Sequence, residues 1–432
     1  MIIVVGAGVF GLSTALHLAK HGADVVVVEA GPVMSGHDDE RVIRTGAKYR
    51  GTSADTSRVV RPDYGSNVIY TRMMKRSLIT WREWSQQAAA EGRAAPYHEV
   101  GFLLLRHSRD LPEESFEAQS RRLLTDEGLK LHELPSSLQS KFPAWAWKEA
   151  NGYLNPGAGW ADCPATLSFM AHLCRTAGVE IMPNSPVETL LIHHGKCTGV
   201  RLRGGTELRV SADAGQESGS FPWSGVVVAA GPWTPKLVPQ AKSLMRPIAQ
   251  PIFYMRPRDP APFQAERFPV FAADISRTGY YGFPVNESGI VKIARHATGQ
   301  ARDPDGARST TDDQMAHFRS FLGATFPDLA SHGTLVSSRV CFYCDSWHGD
   351  FVIDRVPGVA GLIVSAGGSG HGFKFAPELG SVVARVALGV EDDETRYFRW
   401  RDPPTDAAHG MADAARASDS DMAALDEPRS RL

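Results

Sequence analysis

Cysteine is scarce in this 432-residue chain. Cys163, Cys174, Cys197, Cys341 and Cys344 are too few, and odd in number, for a disulfide framework. Net charge is nearly absent too: 46 basic side chains face 48 acidic ones, so no field draws nucleic acid or an anionic membrane, and the expected partners are small molecules. No apolar stretch is long enough to span a bilayer, and the apolar start runs straight into a strand pattern with no room for a signal peptide. Synthesis and folding are therefore expected in the cytosol. Zinc ligands are lacking, because Cys341 and Cys344 form a CxxC for which the other cysteines supply no second pair. A thioredoxin-like dithiol would sit at a helix N-terminus, whereas 340–343 reads as a strand. The length that remains suffices for an ample core and two or more domains.

What is present begins at the first residues. Ile2-Ile3-Val4-Val5 reads as a buried parallel strand that leads into Gly6-Ala7-Gly8-Val9-Phe10-Gly11. Gly6 allows a tight turn, Gly8 lets backbone approach a pyrophosphate, and Gly11 lets the next helix pack closely on the sheet. That helix spans 12–20, with its N-terminal amides and dipole aimed at phosphate. After Gly22 a second strand, 24–28, ends at Glu29-Ala30, where the carboxylate can accept ribose hydroxyls. Strand, turn, helix, strand and terminal acid in register imply a bound FAD or NAD.

Further along, the pattern is interlaced rather than tandem, with no internal repeat. A polar loop covers 31–54 and a long helix 67–90; then come a helix at 165–177, strands at 179–182 and 187–191, and a hairpin of 200–202 with 207–210. A small-residue loop occupies 214–220, and an apolar strand at 225–230 ends in Gly231-Pro232-Trp233-Thr234, a glycine turn able to approach a ligand. Segments 248–255, 280–283 and 289–295 read as antiparallel strands of a different, substrate-facing sheet. A buried strand at 361–366 runs into Gly367-Gly368-Ser369-Gly370-His371-Gly372-Phe373-Lys374-Phe375, and from about 402 the composition becomes that of a mobile tail.

These motifs resemble the amine oxidases that include monomeric sarcosine oxidase, N-methyltryptophan oxidase, pipecolate oxidase and the fungal fructosyl amino acid oxidases. The likeness runs from Gly6–Gly11 through Val226-Val227-Val228-Ala229-Ala230-Gly231-Pro232-Trp233 to Ser369–Phe375. It implies an α/β (α+β) fold: a glutathione-reductase-type FAD-binding Rossmann domain (1–95, 150–240 and 335–400) interlaced with an antiparallel-sheet substrate domain (96–149 and 241–334), and a tail at 402–432. It also implies a monomer that oxidises CH–NH bonds with oxygen as acceptor. In that family a cysteine two residues before a tyrosine carries the flavin through an 8α-thioether. Cys341-Phe342-Tyr343 matches, which implies covalent FAD on Cys341 with Cys344 as a neighbour.

The resemblance assigns further residues. Tyr281-Gly282-Phe283-Pro284, Lys292 and His296 match the family's spacing, so Lys292 is expected over the flavin ring, assisting oxygen, with Tyr281 and His296 at the substrate amine. A fixed ammonium stabilises charge developing on oxygen, and the apolar run 290–293 makes Lys292 buried rather than surface. Arg58 and Arg61 match a pair of which the first lies above the flavin and the second, with Lys374, holds the substrate carboxylate, a task suited to a planar guanidinium. Tyr343 is expected at the substrate, and Ser57, Arg58, Val187, Gly231, Trp233, Gly368, Gly370, His371, Gly372 and Lys374 at the cofactor. His21, His193 and His194 match nothing.

The expected reaction passes a hydride from the carbon beside a neutral amine to the flavin, followed by imine hydrolysis and formation of hydrogen peroxide, with an N-methyl or cyclic secondary α-amino acid as substrate. An iminium-forming tailoring oxidase, a fructosyl amino acid oxidase and a non-catalytic flavoprotein module stay open. The stretch between Glu29 and Arg58 is longer than in the bacterial relatives, and Trp347 is a departure that either lines the pocket or packs. Ser430-Arg431-Leu432 resembles the Ser-Lys-Leu address, so a peroxisomal import receptor is an expected partner, with the cytosol as the alternative.

Overall fold

A strand that is apolar at every position must be covered on both faces. In the computed structural model, which describes residues 1–33, 51–210 and 221–404, Ile2–Val5 lies inside a six-stranded sheet. The order is Val352–Arg355, Leu362–Ala366, Gly225–Val228, Ile2–Val5, Val25–Val28, Glu180–Met182, parallel except for the first strand. Alternate side chains divide between two layers. Ile2, Val4, Val25 and Val27 meet helices Val9–Lys20, Cys163–Thr176 and Leu379–Leu388. Ile3, Val5, Val26 and Val28 meet a three-stranded sheet of Val187–His193, Lys196–Leu202 and Glu207–Arg209. Burial of each such side chain contributes roughly 1.5–3 kcal/mol.

The second sheet has nine strands. Met245–Arg256 pairs with Val291–Arg295 and, along its whole length, with Thr334–Ser346; Tyr280–Gly282, Val270–Ala273, Phe102–Arg106 and Asn151–Asn155 continue the sheet. Period-two alternation sets its chemistry. Val291 and Ile293 enter an aromatic core beneath helices Asp312–Thr325 and Pro327–His332, which leaves Lys292 and Ala294 on the other face. Register places Tyr254 beside Lys292 and Tyr281 beside Ala294. Arg339, Cys341 and Tyr343 share one face of Thr334–Ser346, while Val340 and Phe342 pack together on the opposite one. Cys344 belongs to that opposite side and enters the core of the dinucleotide sheet, so the CxxC is split across the strand. Residues 334–346 join the nine-stranded sheet by hydrogen bonding, because their partner is 245–256.

The expected helix at 67–90 is Val68–Ala90, capped by the Asn67 side chain on the Tyr70 amide. The one expected at 12–20 begins at Val9, within the glycine turn itself. Trp347 packs: its indole donates to the Arg401 carbonyl at 2.8 Å and its ring joins the dinucleotide core. No helix among the described residues is long and apolar enough to cross a membrane. The 34–50 part of the long loop, the 214–220 loop, and the tail from 405 with Ser430-Arg431-Leu432 lie outside the described residues.

Candidate active site

Between the two sheets lies a cavity of about 670 Å³, in the range of small-molecule and cofactor sites. The first glycine turn forms one end. Gly6, Gly8, Val9 and Phe10 line the cavity, while Gly11 sits behind them, where a Cβ would fall 1.8 Å from the Gly6 carbonyl oxygen. Helix Val9–Lys20 starts at Gly8 with no side-chain cap there and no acid in its first turn among the described residues; Val9 N is met by Ser53 Oγ at 3.2 Å. Such an end suits an anionic phosphate. Glu29 closes the second strand, its carboxylate held by the Ala7 amide at 2.6 Å and the Gly31 amide at 2.9 Å. Glu29, Ala30 and Val187 line this end, and Gly231, Trp233, Gly368, Gly370 and Gly372 the remainder. The donor set and the shape fit a dinucleotide. Gly370, at φ 79°, fits because a Cβ there would sit 2.4 Å from the Tyr343 ring.

At the other end of the cavity stands Arg58, and behind it is a residue that sequence reasoning passed over. Asp55 is fully buried and gathers three cations: Arg58 through Nη1, Lys292 at 2.8 Å and Arg339 at 3.3 Å. The Tyr254 hydroxyl at 2.7 Å and the Thr56 amide at 2.7 Å also donate to it. Burial alone would raise the Asp55 carboxyl; Lys292, Arg58 and Arg339 outweigh it and hold the group well below the ordinary range. Burial pushes the Lys292 ammonium down to about 8, against the upward pull of Asp55. Lys292 also donates to the Ser57 carbonyl and lies 4.7 Å from the Phe283 ring centroid. A separate cavity of about 20 Å³ adjoins it, lined by Thr56, Ser57, Trp160, Phe283, Asn286 and Ile290 among others, room for about one water.

Arg58 also meets Cys341, with Nη2 at 3.3 Å from Sγ and at 2.7 Å from the Thr52 carbonyl oxygen. Tyr343 and Cys344 line the large cavity directly; Cys341 lies just behind Arg58 and Thr52. Burial pushes the Cys344 thiol up to about 12, and its Sγ lies 3.5 Å from Met245 Sδ. Tyr343 links two expected site residues: it hydrogen-bonds Tyr281, whose hydroxyl burial pushes up to about 12, and its own hydroxyl lies 3.4 Å from His296 Nδ1.

Arg61 and Lys374 meet at one ring. Lys374 Nζ donates to the Tyr64 hydroxyl at 2.9 Å and sits 4.8 Å from the ring centroid, while the Arg61 guanidinium lies 5.5 Å from the same centroid. Phe102 and Phe116 complete a box around Arg61 at 5.3 and 5.4 Å. Arg61 Nη1 is buried without a hydrogen-bond acceptor among the described residues. The nearby Asp63 carboxylate is occupied by the Tyr153 hydroxyl at 2.6 Å and Asn155 at 3.2 Å. His371 lies away from the cavity wall, its ring nitrogens on the Tyr64 hydroxyl at 3.0 Å and the Gly349 carbonyl at 3.1 Å. No cluster of metal-ligating side chains occurs among the described residues.

A dinucleotide clamp set against an antiparallel sheet, with buried cations where the two meet, is the arrangement of a flavin-dependent oxidoreductase. The sequence pattern of the family described as FAD dependent oxidoreductase matches residues 1–386, and the chain belongs to that family. It is 24% identical over 414 residues to the monomeric sarcosine oxidase of Bacillus sp. (strain B-0618), covering 93% of this chain and 96% of the relative. It is 27% identical to the peroxisomal sarcosine oxidase of Mus musculus, covering 89% and 91%. The fold matches the crystal structure of fructosyl amine: oxygen oxidoreductase (Amadoriase I) from Aspergillus fumigatus with a TM-score of 0.72 at 22% identity, over 97% of this chain and 93% of that one.

Proposed function

We propose that this protein oxidises N-substituted α-amino acids, N-methylated or cyclic, with FAD bound covalently through Cys341 and with oxygen as electron acceptor. The observation that carries the carboxylated substrate is Arg61: a guanidinium boxed by aromatic rings with a buried N–H lacking an acceptor is costly unless a ligand supplies an anion. Lys374, sharing Tyr64 with it, adds a second positive charge to the same corner. The names of the sarcosine oxidase relatives support a secondary amine as the other half of the substrate.

Bound FAD supplies the two-electron acceptor and the reaction with oxygen. The chain's own groups do the remainder. Arg61 and Lys374 anchor the carboxylate, while Tyr281, Tyr343 and His296 form the linked polar edge that receives the amine. Cations nearby lower the pKa of an amine bound in the dry pocket and favour its reactive neutral form. Lys292 serves the oxygen step as a fixed positive charge.

The test is a screen of secondary amino acids under air with peroxide quantified. One peroxide per amine oxidised supports the reading, and absence of turnover across carboxylated secondary amines overturns it. Product mass separates demethylation from ring closure. An ester or decarboxylated amine oxidised as well as the acid would remove the carboxylate anchor. For location, Ser430-Arg431-Leu432 together with the name of the mouse relative supports import into peroxisomes. A fluorescent protein carrying the last dozen residues should become punctate in a fungal cell, and a diffuse signal indifferent to deletion of the tripeptide would rule that out.

A further inference from the structure

Of the groups around the large cavity, Asp55 combines the most cationic contacts with complete burial, and it has no role in the reaction described above. It sits just before strand Ser57–Val60, which carries Arg58. Its partners come from the nine-stranded sheet: Tyr254 from Met245–Arg256, Lys292 from Val291–Arg295 and Arg339 from Thr334–Ser346. One carboxylate therefore pins the segment bearing the cavity's arginine to three strands of the other sheet. Three cations against one carboxylate leave an excess of two positive charges, and both Asp55 oxygens are engaged. Lys292 cannot point its ammonium elsewhere without leaving that carboxylate and the Ser57 carbonyl.

We propose that Asp55 is the positioning residue of the oxygen step: its carboxylate fixes the Lys292 ammonium beside Arg58, which lines the cofactor cavity. The inference rests on the reading of Lys292 as the oxygen-side cation. Among the described residues, Arg58 and Cys163 face Lys292 beside Asp55, and Tyr254 is its partner on the neighbouring strand; Arg339 reaches it through Asp55, and Cys341 and Tyr281 through Arg58. Asp55 is the carboxylate of this group. Burial and Arg58 both work against the ammonium, so loss of the carboxylate moves its titration to lower pH, whereas replacing Lys292 by a neutral side chain relieves part of the resulting imbalance.

The experiment compares flavin-loaded wild type with Asp55→Asn, Asp55→Glu, Lys292→Met and the Asp55→Asn/Lys292→Met double variant. In wild type the rate of flavin reoxidation by oxygen should fall as pH rises through about 8. In Asp55→Asn the fall should move to lower pH, leaving the step roughly a hundredfold slower at pH 8 and partly restored on acidification, while reduction by amine changes far less. Asp55→Glu should slow the step yet keep the wild-type midpoint. As a readout independent of turnover, Asp55→Asn should lower the thermal unfolding midpoint and the double variant should recover part of the loss. An unmoved pH midpoint in Asp55→Asn, or a double variant less stable than Asp55→Asn, overturns the proposal. If Asp55→Asn does not accumulate as folded protein, Asp55→Glu decides, and a wild-type reoxidation rate there overturns the proposal. Lys292→Met with an undiminished oxygen step would remove the reading of Lys292 itself. A slow Lys292→Met beside an unchanged Asp55→Asn would remove only the role of Asp55.

Discussion

Two cationic regions lie at either end of strand Ser57–Val60, and they are built on different plans: Arg58 lines the large cavity and Lys292 the small one, while Arg61 and Lys374 line neither. Around Asp55, Arg58, Lys292 and Arg339 share a buried carboxylate, with tyrosine and backbone groups filling its remaining contacts. Around Tyr64, Arg61 has rings on several sides and a buried N–H with no acceptor. The first cluster gathers its charges on one carboxylate, although Arg339 Nε is buried with no partner among the described residues. The second holds no carboxylate at its centre, and on the proposed function the substrate supplies one. A network gathered on one carboxylate rigidifies, whereas a buried cation without one marks a place where a partner is selected.

The sharpest way to break the comparison is to remove what the carboxylate-centred cluster sits beside. Cys341→Ser should abolish covalent flavin altogether while Cys344→Ser retains it, read as yellow colour in the acid-denatured pellet and by the mass of the flavin-bearing peptide. Colour persisting in Cys341→Ser would put the attachment elsewhere, with Cys344 on the cavity wall the next choice. Lys292→Met comes second: stopped-flow measurement should find reoxidation slowed on the order of a hundredfold or more, and reduction by amine much less. Third, Arg61→Ala and Lys374→Ala should each raise the half-saturating concentration of the carboxylated substrate roughly tenfold to a hundredfold, since a charge-assisted contact contributes about 1.5–3 kcal/mol. Both should weaken inhibition by simple carboxylates. Equal effects of Arg61→Ala and Lys292→Met on the same half-reaction would erase the distinction between the two regions. The smallest effect belongs outside both: Trp347→Phe should cost about 0.5–1.5 kcal/mol in unfolding titrations through its lost bond to Arg401 and leave turnover unaltered.

The two plans also differ in how far they can be read before folding. The strands at 2–5, 25–28 and 225–228 are apolar throughout, and that at 362–366 in all but Ser365, so their burial is legible because little else can be done with such runs. Helix Phe116–Asp126 was not anticipated: it buries a thin stripe, Glu117, Ser120 and Leu124, so its apolar period is faint. Arg58, Arg61 and Lys292 were reachable through motif spacing. Asp55 was not, because Ala54-Asp55-Thr56-Ser57 reads as an ordinary polar loop and the groups that define it, Tyr254 and Lys292, are 199 and 237 residues away. The one available signal was an acid three residues before an arginine, which is too common to single out. The same limit applies to strand Thr334–Ser346, whose partner at 245–256 is set by register and not by composition.

That last strand has a consequence for the order of assembly. Cys341 sits in a long pairing with Met245–Arg256, and its sulfur rests against Thr52 and Arg58, 289 and 283 residues earlier in the chain. Contacts of such separation form late, since loop-closure entropy must be overcome before they contribute stability. During synthesis the glycine turn and first helix emerge early, yet the wall that faces them waits for residues 343–373. A nascent chain halted before 334 has the clamp for a nucleotide but lacks the wall that Tyr343, Cys344 and 366–373 supply. Tight cofactor retention therefore reports that both sheets have met, and a ribosome-stalled series probed for bound flavin should show acquisition as a single late step.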